Sequence, residues 1–297
     1  MENTTMENTR TKTTRNSLIL LLTAAIWGMA FVSQSKGMDY MHPFTFNGVR
    51  SLIGAASILV YILISRKIAG DKAAPLDWKL NVKAGLLCGI FLTIASTLQQ
   101  FGIKYTSVGK AGFITTLYII FVPMFGIFLK KKVAPVVWAA AVMAAVGMYL
   151  LCMTESLRLG AGDIMVFLCA IAFAIQIMTV DHYATRIDGA VVSCIQFTVC
   201  GVVCCIGALI WGQPTFGQLQ EGLGALLYAG VLSCGVGYTL QIVGQKGLNP
   251  TVAALIMSLE SVIATISGWI AYKIGFLTTD QTLTARQIAG CVIVFAA

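Results

Sequence analysis

The chain has 297 residues, of which 58% are hydrophobic and only 11% charged, with a mean hydropathy of +0.84 and a formal charge of +8. Soluble domains carry roughly 25% charged residues, so this chain has too few charges to cover a water-facing surface, and it is too apolar to be disordered. Its Lys and Arg residues sit in short gaps between apolar runs rather than along an aromatic-studded face, which excludes a nucleic-acid surface and points to membrane topology.

Residues 1–16 form a polar tail in which Met-Glu-Asn-Thr occurs at Met1 and again at Met6, so either Met can be the start. About ten apolar spans follow, each near the ~20 residues that cross a ~30 Å hydrocarbon core. Span 1, 17–35, carries Thr23, Trp27, Ala30 and Gln34 on one helical face. Arg10, Lys12 and Arg15 precede it, and Gly28-Met29-Ala30 resembles a signal cleavage site. The apolar run continues past that point to Val32, so the span is read as retained. Span 2, 44–65, carries Asn47, Arg50, Gly54 and Ser57. Span 3, 82–103, leads with Thr93, Thr97, Gln100 and Lys104, with Ser96 and Gln99 adjoining, and span 4 covers 109–129. Span 6, 162–183, carries Gln176, Thr179 and Tyr183, and span 7, 189–211, carries Ser193, Gln196 and Cys200. Span 8, 222–244, leads with Cys234, Tyr238, Gln241 and Gln245, and span 9, 250–272, carries Met257, Glu260, Ala264 and Ser267. Steps of three and four residues put each set on one side of its helix.

Spans 5 and 10, 135–153 and 285–297, differ from the rest. Between Val136 and Met153, and from Ile288 on, there is no Ser, Thr, Asn, Gln or charged residue. These two spans are expected at the lipid-facing periphery, with the other eight around a polar interior. At ~1.5 Å per residue the last span reaches only about 20 Å, so it reads as incomplete and the native chain is expected to continue past Ala297. Uninterrupted runs of this length do not fit the ~10-residue alternating strands of a barrel.

The nine cysteines lie almost wholly inside apolar runs, without a C-x-x-C pair, and His42 and His182 are far apart in sequence. A metal site needs clustered ligands, so no metal or other cofactor is expected. Gly85 and Gly89 form G-x-x-x-G, a helix-packing device.

Sliding the chain along itself until Leu98 meets Leu240 aligns 98–129 with 240–271. Gln99, Gly102 and Lys104 then meet Gln241, Gly244 and Lys246; Ala111, Ile114, Leu117 and Gly126 meet Ala253, Ile256, Leu259 and Gly268. Five spans per copy is an odd number, so the second copy enters from the opposite membrane face. The expected fold is therefore an all-α integral membrane protein with two inverted five-helix repeats, 17–153 and 162–297. With the N-terminus inside, cytoplasmic segments hold 13 Lys and Arg and external ones 6, so both termini are expected in the cytoplasm.

Two charges stand inside spans. Glu260 lies about ten residues into span 9 and Arg50 some seven into span 2. A charge at the bilayer centre costs ~2.5–3.5 kcal/mol even on insertion scales, and such residues are paired or functional. The structural alternative is an ion pair, or an Arg50 that snorkels to the outer surface. Single Gln or Thr residues serve equally as interhelical glue. The collective pattern points to a water-accessible cavity, with candidate residues Trp27, Asn47, Arg50, Gln99, Gln100, Tyr118, Gln176, Gln196, Tyr238, Gln241 and Glu260.

The chain also resembles the drug/metabolite transporter superfamily, EamA type, over about 17–297. Matching elements are Trp27-Gly28, Arg50, the run Gly109 to Thr115 leading to Pro123, the run Ala253 to Glu260, and Gly268-Trp269. The family often has proline after that glutamate and Gly-Glu after span 9, where this chain has Ser261 and Tyr272-Lys273. The resemblance implies ten helices in two inverted repeats and alternating-access export of small organic solutes, amino acids and cationic drugs among them.

The leading expectation is a plasma-membrane secondary exporter, not an enzyme. Its partners are a small solute, the lipid bilayer and, as coupling ion, protons; a homodimer is compatible with the sequence. Uptake or exchange by the same fold is the nearest competing class, and a non-transporting scaffold or receptor subunit is the next. An intramembrane enzyme would need a reactive pair near mid-membrane, and only Glu260 and dispersed cysteines are offered.

Overall fold

Helix starts in this chain are written by short polar caps. Asp77 accepts from Leu80 N, Ser107 from Lys110 N, Asp188 from Ala190 and Val191 N, and Asn249 from Thr251 N with Pro250 at the first helical position. Such caps satisfy amide donors that the helix itself leaves free, which matters most where water is scarce. The computed structural model describes residues 2–70, 75–129, 135–152, 160–278 and 282–296. The three consecutive lysines at 130–132, which count among the cytoplasmic charges of the expected topology, and the 153–159 connection thus lie outside the described residues.

Helix α1 spans Glu2–Gly37, so the polar tail continues the first span as helix. Next come α2 (Pro43–Ala69), α3 (Trp78–Ile103), α4 (Val108–Thr116), α5 (Tyr118–Phe128), α6 (Pro135–Cys152) and α7 (Ala161–Tyr183). Helix α8 (Gly189–Gly207) runs on as a π-helical turn to Gly212. After α9 (Phe216–Glu221), helices α10 (Leu223–Leu227) and α11 (Tyr238–Gly244) flank a π-helical segment, Tyr228–Gly237. Then follow α12 (Pro250–Met257), α13 (Glu260–Lys273) and α14 (Ala285–Ala296). No strand occurs among the described residues.

Among the described residues, eight helical segments are long and apolar enough to cross a membrane, α4–α5, α10–α11 and α12–α13 counting as one each. The expected spans 5 and 10 correspond to α6 and α14. These two pack on each other: a Cβ on Gly147 would meet Ile293 Cγ2 and Val294 N at 2.8 Å. Val136, Val142, Val146, Ile288 and Val292 on them are exposed. In lipid such a surface needs no cover.

Two apolar clusters fix the ends of the bundle. In one, Phe31 and Val32 near the end of α1 and Ile103 at the end of α3 meet Val108 and Ala111 of α4 and Ala264 and Ala271 of α13. In another, Ala84 and Cys88 near the start of α3 meet Val180 and Tyr183 at the end of α7, Val192 near the start of α8, and Ile242 of α11. Helices α1 and α3 thus finish at one end of the bundle, α7 and α11 at the other. Close backbone approaches recur at the repeat spacing. Gly102 of α3 sits where a Cβ would come within 2.8 Å of Gly162 O on α7. Gly244 of α11, the counterpart of Gly102 in the second repeat, sits where one would meet Leu20 Cδ2 on α1 at 2.8 Å.

Outside the spans, His42 caps α2: its Nδ1 accepts from Phe44 N at 3.3 Å, with its ring packed against Phe44 and Phe101 at 5.8 and 5.5 Å. Burial, and then the charge of Lys104, hold His42 below the ordinary histidine value of 6.5. The neutral ring is the form that can accept, so the cap contributes fully above about pH 6.5 and is lost as the unfolded chain takes up the proton below it. We expect the melting temperature of purified protein to fall as the pH is lowered from 7.5 to 5.5. His42→Asn, which keeps an acceptor that does not titrate, should remove that part of the pH dependence.

Candidate functional site

Two of the spans are broken at mid-length, and the breaks fall at equivalent positions of the two repeats. Helix α4 stops at Thr116 and α5 begins at Tyr118; α12 stops at Met257 and α13 begins at Glu260. Each break has a hydroxyl turned back on the backbone. Thr116 Oγ1 donates to Phe113 O at 2.8 Å, and Ser258 Oγ donates to Leu255 O at 2.7 Å. A side-chain bond of this kind competes with the helical ladder and bends it. The residues that follow the breaks meet: Tyr118 OH donates to Glu260 Oε1 at 3.0 Å, across a sequence separation of 142, which is the spacing of the repeat. Two positions related by the repeat and in direct contact lie close to whatever axis relates the repeats.

Around this pair lies a narrow cavity of about 40 Å³. All eight long segments contribute to its wall, and among the described residues none of its lining belongs to α6 or α14. Of the eleven candidates, Trp27, Asn47, Arg50, Gln99 and Tyr118 line it from the first half of the chain. Gln176, Tyr238, Gln241 and Glu260 line it from the second. Gln100 and Gln196 are elsewhere. Gln100 is buried with Nε2 donating to Gln34 O at 3.3 Å, and Gln196 is buried with both amide atoms unpartnered. The wall also includes Gln34, Ser96, Thr115 and Ser233, together with the apolar Phe31, Leu92, Phe173 and Phe197, which the candidate set lacks. Gln34 and Ser96 carried the same stripe signal as their neighbours, and the repeat spacing would have singled out Gln34, whose counterpart in the second repeat is Gln176.

Arg50 is 5% exposed and Glu260 3%. Arg50 does not snorkel to the surface. Its Nε donates to Asn47 Oδ1 at 3.0 Å, and the guanidinium lies 5.5 Å from the centre of the Phe46 ring. No ion pair joins Arg50 to Glu260 or to any other described carboxylate. The cavity therefore holds one buried cation and one buried carboxyl that do not neutralise each other. A buried charge left without a counter-ion is costly.

Asn47 carries the wall onward. Its Nδ2 donates to Ser96 Oγ at 3.0 Å and lies 3.3 Å from Cys204 Sγ, so α2, α3 and α8 are tied behind Arg50. An aromatic wall faces the polar groups. Trp27 and Tyr238 are 4.5 Å apart between ring centres, and Phe197 meets Tyr238 edge-on at 5.0 Å. Trp27 Nε1 donates to Ser233 O at 3.4 Å, within the π-helical segment. Widened helical turns of this kind recur at functional sites.

Away from the cavity lining, Lys110 Nζ donates to Asp163 Oδ2 at 2.6 Å, and Thr106 Oγ1 donates to Asp163 Oδ1 at 2.9 Å, fastening the α3–α4 turn to the start of α7. Among the described residues no group of three or more His, Cys, Asp or Glu side chains could hold a metal ion.

A family model described as the EamA-like transporter family matches residues 15–153 and 160–297, one copy on each half. The chain is 28% identical over 281 residues to an uncharacterized transporter of Archaeoglobus fulgidus, covering 93% of this chain and 83% of that one. It is 27% identical over 287 residues to the uncharacterized transporter YwfM of Bacillus subtilis, covering 95% and 94%. A solved structure described only as "Crystal structure of protein" superposes with a TM-score of 0.72 at 16% identity, covering 95% of this chain and 94% of that one, which bears on the fold alone.

Proposed function

The chain belongs to the EamA-like transporter family, and from that premise we propose that it is a secondary transporter exporting small amino-acid-like or amphipathic cationic solutes by alternating access. The observation that carries this reading is the cavity in which Arg50 and Glu260 are buried without pairing with each other. A zwitterion satisfies both: its carboxylate meets the planar donor fork of Arg50, and its ammonium meets Glu260. The Trp27–Tyr238–Phe197 wall suits an apolar or cationic side group. A solute without a carboxylate would use Glu260 and the aromatic wall alone.

The reading includes two inverted repeats of five helices, with α6 and α14 as the fifth member of each. Support comes from the Tyr118–Glu260 contact at the repeat spacing and from the opposite bundle ends at which α1 and α7 finish. Rocking of the two repeats about such an axis would expose one cavity to each membrane face in turn. Glu260, sitting near that axis, can hold a proton in one part of the cycle and a cationic group in another. The Lys and Arg distribution supports cytoplasmic termini, and the reading takes the membrane to be the plasma membrane.

A screen of amino acids, amines and cationic drugs in a host overproducing the chain tests the reading. Increased tolerance to at least one solute, with matching release into the medium, is expected from the wild-type protein and not from an equally expressed Glu260→Gln variant. Tolerance that rises equally with both would contradict it.

A further inference from the structure

Four glutamines of the cavity wall form two pairs related by the repeat. Gln34 and Gln99 come from α1 and α3; their counterparts in the second repeat, Gln176 and Gln241, come from α7 and α11. The spacing is that of Tyr118 and Glu260, which line the same cavity. All four are buried, at 4%, 6%, 0% and 1% exposure.

The two pairs are not in the same state. Gln241 Nε2 donates to Gln176 Oε1 at 3.3 Å. No hydrogen bond joins Gln34 to Gln99; Gln99 Nε2 donates instead to Thr115 Oγ1 at 3.2 Å. The position equivalent to Thr115 in the second repeat is Met257, which has no oxygen to offer, so Gln241 has no rival partner there. Gln34 Oε1, Gln176 Nε2 and Gln241 Oε1 are left without partners. A buried unpaired polar atom costs about 1–3 kcal/mol, so these atoms favour either a solute or a different pairing.

The pairs also sit toward opposite ends of the bundle. Gln34 and Gln99 are within about a turn of the ends of α1 and α3, which belong to the Phe31–Ile103 cluster. Gln241 is within about a turn of the end of α11, and Gln176 two turns from the end of α7, beside the Val180–Ile242 cluster.

We propose that these are two exchangeable half-sites: the glutamine pair that is joined closes the cavity toward its own membrane face, while the open pair is the one that receives the solute. The solute is then a molecule that presents both a hydrogen-bond donor and an acceptor, as an ammonium carboxylate or a carboxamide does. In the state described, the Gln176–Gln241 pair is closed and the Gln34–Gln99 pair is open. In the opposite state Gln99 leaves Thr115 for Gln34, and Gln241 leaves Gln176. This exchange rests on the alternating-access reading for its purpose, but it can be measured without any transport.

The test is hydrogen–deuterium exchange of the full chain in lipid nanodiscs, following segments 100–111 and 180–192 at the two ends. Gln241→Leu should raise exchange in 180–192 and lower it in 100–111, and Gln34→Leu should do the reverse. Thr115→Met, which copies the second repeat and frees Gln99, should act like Gln241→Leu and guards against a misfolded glutamine variant. Each shift should be about fivefold, the size of one neutral hydrogen bond. Shifts of the same sign in Gln34→Leu and Gln241→Leu, or no shift in any variant, would overturn the exchange. Opposite shifts in a protein that moves no solute would support the exchange and overturn the transport reading; flux with same-sign shifts would do the converse.

Discussion

Glu260→Gln is expected to reduce solute export at least tenfold while leaving the protein folded and inserted. Glutamine has nearly the volume of glutamate, and its amide oxygen can still accept from Tyr118 OH, now at 3.0 Å from the carboxyl. The helix start at position 260 and its packing against Gly28 are unaffected, because a Cβ added at Gly28 meets the backbone oxygen of residue 260 rather than its side chain. What is removed is the ability to take up a proton or to hold an ammonium group. A tenfold loss corresponds to about 1.4 kcal/mol, less than a charge-assisted hydrogen bond of about 1.5–3 kcal/mol contributes. If Glu260 were only a packing element, its replacement would lower the melting temperature and leave the transport of surviving protein intact. Tyr118→Phe separates the roles further. It leaves Glu260 without its donor and should weaken transport less than Glu260→Gln, because the carboxyl itself remains.

Arg50→Gln is expected to discriminate between solutes. Arg50 is the cation in the lining of the cavity, held by Asn47 and stacked near Phe46. Without it a solute carboxylate would be buried with no counter-ion, and export of zwitterions should fall by tenfold or more. Export of carboxylate-free cations should fall less or rise, since a repelling charge has been removed. Arg50→Lys keeps the charge but loses the Nε bond to Asn47 and the bidentate fork, so it should be intermediate for zwitterions. Equal losses for both solute classes would mean that Arg50 supports the wall and does not read the solute. The comparison is made as flux per molecule of inserted protein, so that expression does not enter.

Much of this arrangement was legible in the chain, for a physical reason. Polar groups in hydrocarbon are costly, so Trp27, Asn47, Arg50, Gln176, Tyr238 and Glu260 stand out against apolar neighbours, and helical spacing puts them on inward faces. Gln99 and Gln100 show where that signal ends. They are adjacent in the chain, both are buried, and only Gln99 reaches the cavity while Gln100 reaches the backbone of α1. In a helix with partners on several sides, burial does not say which partner a polar residue has found. Gln196 is the same case, since it sits against Gly89, whose bare backbone admits α8 closely.

The breaks at Leu117 and Ser258–Leu259 were not legible either. Thr116 and Ser258 are ordinary span residues until their hydroxyls turn back to carbonyls earlier in the same turn. The repeat spacing seen in a run of identities carries further than the identities themselves. It pairs Tyr118 with Glu260 and Gln34 with Gln176, which are chemically unlike or lie outside the matched run, and the contact between the first two gives that spacing a meaning in space. Both α6 and α14 are apolar, which their composition makes plain, but their contact with each other, through Gly147, is a tertiary choice.

The most direct test of the central claim, that the Tyr118–Glu260 cavity is a transport path, uses purified protein in sealed liposomes. The liposomes are loaded with a defined mixture of amino acids and small amines, and the external medium is followed by mass spectrometry. Release of a subset of solutes through the wild-type protein, saturable and at least tenfold faster than through Glu260→Gln, is the predicted result. Release that is equal in wild-type, Glu260→Gln and protein-free liposomes for every solute would contradict it.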